Sequence, residues 1–430
     1  DVADTVLKSF TVRLRSLGMN VIRDLLLHPL MEVQELGANI LLGHDTRADR
    51  LPEGMIDSLI TSSFESVRAV GIKLFGQLSD QALFEREGLI VSFAMHELED
   101  IRSSIRPVIR RLSASDRGFA SRLSEAFIKV LLGPEPHEGI HNGLVSIMQE
   151  DLGDGWKIAA TRGTAWKLIQ SKSQAAQELG GNLIAFKLDS EAGWAEGFDT
   201  SEIAELSNHE VVAVRRSARL IFEKVAERFL HSSNPEGHLE EMGMAVRLLD
   251  SQWDDSRRHW IEVFRTSFTV DDFTPAILVS ICDSVREDVQ QLGRELITRF
   301  FKEEAGQEYL LKLSEHPSAD LQLFATNYLE AYAAGDAARL GQLKPYFISV
   351  LSRVNRARVA KDRVLRFLTA EAEKSEEAAR IVGDILTRQS LTIAVGDRAA
   401  AIETMLRLRH AYPDLKLPIK LREPEVRDAV

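Results

Sequence analysis

Cys282 is the only cysteine in 430 residues. A disulfide framework within the chain is therefore excluded, and so is a Cys-rich zinc module. Cys282 ends the apolar run that begins at Leu278, so it reads as a small buried hydrophobe. Proline is scarce, at 12 residues, and the long stretches without it favour helices over a loop-rich β fold. No apolar run approaches the roughly 20 residues that span a bilayer, so no membrane contact is expected. The chain opens at Asp1 with no signal-peptide pattern. The expectation is a cytoplasmic protein, or a piece of one. A phosphate-cradling glycine loop is also missing. Gly193 and Gly197 are separated by Trp194, Ala195 and Glu196, and Gly153-Asp154-Gly155 lacks a following Lys-Ser/Thr. No cofactor is expected.

Positive charge is in short supply overall, with a net charge of −12. It is not short everywhere. Residues 341–430 hold 17 Lys/Arg against 12 Asp/Glu, so the acidic excess lies entirely in the first 340 residues. Such a balance speaks against bulk coating of nucleic acid and leaves room for a local basic site near the C-terminus.

What the chain does contain is a repeat. His28-Pro29-Leu30-Met31-Glu32-Val33-Gln34 aligns without a gap on His316-Pro317-Ser318-Ala319-Asp320-Leu321-Gln322. A small residue marks the register: Gly37, Gly71, Gly180, Ala218, Gly293, Ala325. Four positions earlier stand Val33, Val67, Ala176, Val214, Val289 and Leu321. Three and four positions later stand pairs such as Ile40/Leu41 and Leu74/Phe75, completing the stripe of an amphipathic helix. Twelve positions earlier come Leu25, Leu59, Leu168, Leu206, Ile281 and Leu313, late in a preceding helix. Weaker copies centre on Ile105, Leu144, Trp260, Arg363 and Glu403. Each unit reads as helix, short turn, helix, with the small residue admitting a close neighbour. A single hairpin cannot bury its stripe, whereas stacked hairpins can.

The pattern resembles the HEAT repeat family. Pro29, Glu32, Val33 and Gln34 match its turn proline, acidic residue, core residue and following amide. Asp100, Ile101 and Arg102 match in the same way, as do Asp288, Val289 and Gln290, and Pro317, Asp320, Leu321 and Gln322. The turn proline is present in only two of these, and Ser66 and Ala213 replace the acid elsewhere. The resemblance implies an all-α, right-handed superhelical solenoid of about ten to eleven HEAT-like (armadillo-like) helical-hairpin repeats. It covers nearly the whole chain and is almost silent on function.

The array is expected to break at residues 131–163, where Gly133-Pro134-Glu135-Pro136 precedes Asp151-Leu152-Gly153-Asp154-Gly155. Repeats over 1–130 and 164–415 would form two arms. The tail, 416–430, alternates and contains Pro418, so it reads as extended.

Four constellations invite a chemical reading. His137-Glu138-Gly139-Ile140-His141 matches the zinc-hydrolase pattern H-E-x-x-H. Two prolines stand just upstream, Gly139 lies inside, and no third ligand follows, so no metal site is assigned. Arg353, Arg356, Arg358, Lys361, Arg363 and Arg366 form a basic stripe that could neutralise phosphates or bind a partner. The bland alternative is a solvated face paired with the acidic run that follows. Arg215, Arg216 and Arg219 read as structural bridges, Arg215 standing at the family's basic position. In the run Trp253 to Trp260, Asp254, Ser256 and His259 are near in sequence but point apart on one helix, so no catalytic triad is assigned. Trp156 and Trp194, in irregular segments, read either as exposed anchors for a partner or as plugs between repeats. The resulting expectation is a non-catalytic scaffold for a protein partner. A nucleic-acid-binding solenoid using the basic stripe is the alternative, and a metal-dependent hydrolase at His137/His141 a distant third.

Overall fold

A computed structural model describes residues 2–52, 54–353 and 358–420. Among them the chain forms helices and connecting turns, with no strand. Successive helices pair as antiparallel hairpins, for example Met19–Leu26 with Met31–Leu42, Met55–Ile60 with Glu65–Gly76, and Glu87–Ala94 with Glu99–Ser115.

The small residues do what their spacing predicts. A Cβ on Gly37, Gly71, Gly180 or Gly293 would stand within 2.8 Å of Leu25, Leu59, Ile169 or Cys282 on the first helix of the same hairpin. The second helix thus lies against the first with no side chain between them. Cys282 is buried, and desolvation pushes its thiol up to about 12.

Eight of the turns are closed by the same two hydrogen bonds. A His or Ser begins each, and its side chain accepts the backbone N–H two residues on. His28, Ser62, His96, Ser171, His209, Ser251, Ser284 and His316 all do so, at 3.0–3.3 Å. That locks the N-cap geometry that starts the second helix. Six residues after the turn residue, Gln34, Arg68, Arg102, Gln177, Arg215, Arg257, Gln290 and Gln322 donate back to its carbonyl, at 2.5–3.0 Å. The basic or amide residue after the core position is therefore a stitch. It satisfies a carbonyl that would otherwise be stranded at a helix end, where an unmet partner costs about 1–3 kcal/mol.

Residues at the stitch position also reach onward to the next hairpin. Arg68 Nε donates to Asp100 at 3.0 Å, Arg257 Nε to Asp288 at 2.6 Å, and Lys361 Nζ to Asp397 at 2.5 Å. The bond to Asp288 is the leading cause that raises the Arg257 pKa.

The helices pack as two units. One comprises residues 1–199 and 205–224, the other 200–204 and 225–430. The core of the first runs from Ile22, Ile40 and Leu59 through Ile101, Phe119 and Leu144 to Leu179. That of the second runs from Trp260 and Phe264 through Leu278 and Leu296 to Phe347, Leu368 and Leu386. Residues 131–163 lie wholly inside the first unit and carry the helices Ile140–Glu150 and Gly155–Ala159. Two weak copies are out of register as read from sequence. Buried Ala360, Val364 and Leu368 put the centre at Val364, not Arg363, and buried Ala401, Met405 and Leu408 put it at Met405, not Glu403. Charged residues sit beside the stripe there, and without a glycine nothing in the sequence fixes the phase. Beyond Ala411 the described tail is not helical, and Ile419 accepts from Arg409 at 2.6 Å.

The His turns carry a pH consequence. His209 Nδ1 accepts the Val211 N–H at 3.1 Å, which requires a neutral ring. Burial lowers the His209 pKa below its ordinary value, while Glu210, Glu205 and the Ile169 backbone oppose the shift. The folded value lies under the unfolded one, so this stability is present above the unfolded pKa and is lost as pH falls through the folded pKa. Ser fills the same place in four other turns and does not titrate. His209→Ser should therefore gain stability relative to wild type as pH falls from 7.5 to 5.5, read as the urea midpoint. Parallel pH profiles for the two proteins would refute the assignment.

Candidate protein-interaction surface

The structure scatters the basic stripe. Arg353 donates to the carbonyls of Ser314 and His316 at 2.8 and 3.5 Å, closing the end of the helix Gly306–Glu315. Lys361 is a correction to the sequence reading: it is buried beside Asp397 and faces no partner. Its place next to core residue Ala360 puts it at the stitch position, which is invisible until the register is known. Arg356 lies outside the described residues. Arg358, Arg363 and Arg366 remain exposed on the helix Arg358–Ala372.

Two of these face a groove of about 820 Å³ in the second unit. One wall is Thr326, Asn327, Leu329 and Glu330; the other is Arg363, Arg366 and Phe367. Arg363 is held upright by Thr326 Oγ1 and Asn327 Oδ1, at 3.3 and 3.0 Å. Arg366 Nε donates to the Asp362 carbonyl at 3.2 Å. Glu371 also lines the groove and accepts from Lys374 at 2.5 Å and from the Gly335 N–H at 2.7 Å. That carboxylate is neutralised in place, so the open part of the groove presents two guanidiniums against the single carboxylate of Glu330.

The tryptophans divide. Trp156 is a correction: it is buried, and its indole N–H donates to the Met148 carbonyl at 3.0 Å. It plugs the junction between two helices and cannot anchor a partner. Trp194 is half-buried and packs edge-on against Phe198, with ring centroids 5.3 Å apart.

The remaining chemical readings dissolve in the same way. Gly139 takes φ +82° and starts the helix at Ile140, leaving His137 in the turn before it. The two histidines of the H-E-x-x-H pattern therefore share no helical face. Among the described residues no group of three or more His, Cys, Asp or Glu could hold a metal ion. Ser256 is buried and accepts from the Trp260 indole at 3.2 Å, so it is a core residue. Arg215 is a buried stitch, in agreement with the sequence reading. No described helix is long and apolar enough to cross a membrane. The groove itself was not foreseen as a groove. Only its two arginines were flagged, because Thr326, Asn327 and Glu330 come from a neighbouring repeat about 36 residues away.

No family model and no curated protein matches the sequence. Solved structures do, at low similarity. An engineered protein aligns over 91% of this chain and 98% of its own, with 13% identity and a TM-score of 0.26. Kap95p, in a structure describing its binding to RanGDP, aligns over 95% of this chain with 9% identity and a TM-score of 0.33. Kap121p aligns over 95% with 12% identity and a TM-score of 0.34. The aligned part spans 64% of the Kap95p chain and 43% of the Kap121p chain. No residue role carries over at such identities. Among the described residues, each unit is all-helical and built of successive hairpins with HEAT-like stitches and close glycines.

Proposed function

We propose that the chain is a non-catalytic scaffold that holds an acidic segment of a protein partner in the groove beside Arg363 and Arg366. One observation supports the reading above others. The cations that repeat through the array are spent on stitches, whereas these two stand exposed on an open wall beside Phe367 with their carboxylate neighbour Glu371 already neutralised. A planar guanidinium presents paired donors to a carboxylate and stacks on aromatic faces, which suits recognition of acidic peptides. The nucleic-acid alternative loses support, because burial of Lys361 and commitment of Arg353 leave few of the stripe's cations for phosphates.

The test is retention from source-cell lysate on immobilised wild type and on Arg363→Glu/Arg366→Glu, each with and without nuclease. Proteins kept by wild type after nuclease and lost by the variant support the scaffold. Equal retention by both would remove the groove from the reading. Loss on nuclease treatment, with nucleic acid recovered, would replace the reading with nucleic-acid binding.

A further inference from the structure

The groove beside Arg363 is tied across at two levels, and the ties set its walls in register. Arg363 Nη1 donates to Asn327 Oδ1 at 3.0 Å, and the Gly335 N–H donates to Glu371 Oε2 at 2.7 Å. Both bonds join positions 36 residues apart. The two walls therefore run in the same direction and stay in step from one tie to the next. On the helix Arg358–Ala372, the stretch from Arg363 to Glu371 rises about 12 Å. Walls close enough for one side chain to bridge leave no room for a guest helix, which is about 10–12 Å across. A guest between them is an extended segment.

Between the ties the lining changes character. Next to Arg363 stands Arg366, whose Nε donates to the Asp362 carbonyl and whose terminal nitrogens have no partner among the described residues. Farther along the helix comes Ala370, and in step with it on the facing wall comes Ala334. Both alanines are exposed, and neither is large enough to fill the space between the walls. Half-buried Phe367 and buried Leu329 line the same part of the groove. The lining is thus cationic at the level of Arg363 and apolar, with open space, at the level of Ala370. Glu330 lines the groove too and repels carboxylates, so a purely acidic guest is held weakly and apolar contact must add to the attraction.

Resting on the reading that the groove takes an acidic segment, we propose that this segment also carries a bulky apolar residue, seated between Ala334 and Ala370. Its spacing from the acids follows from the helix. Arg366 lies about 6 Å, and Arg363 about 10 Å, from the level of Ala370. An extended chain advances about 3.3 Å per residue. The partner motif is therefore a bulky apolar residue with acidic residues two and three positions away, the acids on Arg366 and Arg363.

Fluorescence anisotropy of labelled peptides on the whole chain, at fixed ionic strength, tests this. The probes are Gly-Asp-Asp-Gly-Leu-Gly, the same peptide with alanine for leucine, and the same peptide with asparagine for both aspartates. Each is also made in reverse order, because the walls fix the spacing and not the chain direction. In the better order the leucine peptide binds about tenfold tighter than the alanine peptide. It also binds about tenfold tighter than the asparagine peptide. Ala370→Gln, at an exposed helix position, keeps the fold by circular dichroism, fills the seat with a polar chain and abolishes the preference for leucine over alanine. Arg366→Gln weakens both acidic peptides and keeps that preference. Equal binding of the leucine and alanine peptides to wild type in both orders, or a leucine preference that survives Ala370→Gln, overturns the inference and leaves the scaffold reading standing. Acidic peptides that bind no tighter than the asparagine peptide overturn the acidic-segment reading and the inference together.

Discussion

Gly181→Ala lowers the stability of the folded chain by about 1 kcal/mol, although it places a better helix former in the middle of a helix. Gly181 lies in Gln174–Ser190, where a Cβ would meet the carbonyl carbon of Ala213 at 2.7 Å and the backbone N of Val214 at 2.8 Å. These are backbone atoms of the next hairpin and cannot rotate aside. Ala is intrinsically better than Gly in a helix by roughly 0.5–1 kcal/mol, and overpacking costs about 1–3 kcal/mol, so the strain wins. Gly243, within His238–Ala245, supplies the control. Nothing lies within 4 Å of its added Cβ, so Gly243→Ala gains the propensity term alone. Urea unfolding of the two variants should move in opposite directions. If Gly181→Ala is as stable as wild type, the close approach of these hairpins is wrong.

Arg215→Met is the second large effect. Arg215 is buried, and its NH1 donates at 2.8 Å to the carbonyls of both His209 and Glu210. Methionine keeps much of the volume and abandons both acceptors. Hydrogen bonds to charged groups are worth about 1.5–3 kcal/mol, so a loss of roughly 3 kcal/mol is expected. Gln177→Met removes a single neutral bond, to the Ser171 carbonyl at 2.7 Å, and should lose only about 1 kcal/mol. Equal losses from the two substitutions would mean that the second carbonyl does not matter.

The fold was legible because stacking imposes a simple rule on the sequence. A helix that must lie against its neighbour needs a small residue at one phase and apolar residues at fixed offsets. Gly37, Gly71, Gly180 and Gly293 announce that phase. At Val364 and Met405, where the small residue is replaced and charged residues sit beside the stripe, the phase was misread by one or two positions. The stitches were half legible. Gln34, Arg102 and Arg215 could be recognised by their place in the motif, but their acceptors are main-chain carbonyls, which leave no trace in the residue types. The same blindness misplaced Lys361. It was counted by charge, while burial beside Asp397 is decided by a helix about 36 residues away. The seat between Ala334 and Ala370 was illegible for a related reason. Two alanines announce nothing in a sequence, and only the two bonds across the groove bring them level.

The stitches also bear on how such an array can arise. A side chain that binds a main-chain carbonyl finds its acceptor whatever residue the turn happens to carry. The stitch itself therefore needs only one suitable residue, supplied by that hairpin. A duplicated unit arrives with its own fastening complete, and a deleted one strands nothing inside its neighbours. The Arg68–Asp100 and Arg257–Asp288 pairs are different, because each joins two successive hairpins and must be matched on both sides. Gain and loss of repeats by recombination is thus tolerated wherever the carbonyl stitch acts alone, and is constrained where an ion pair crosses the junction.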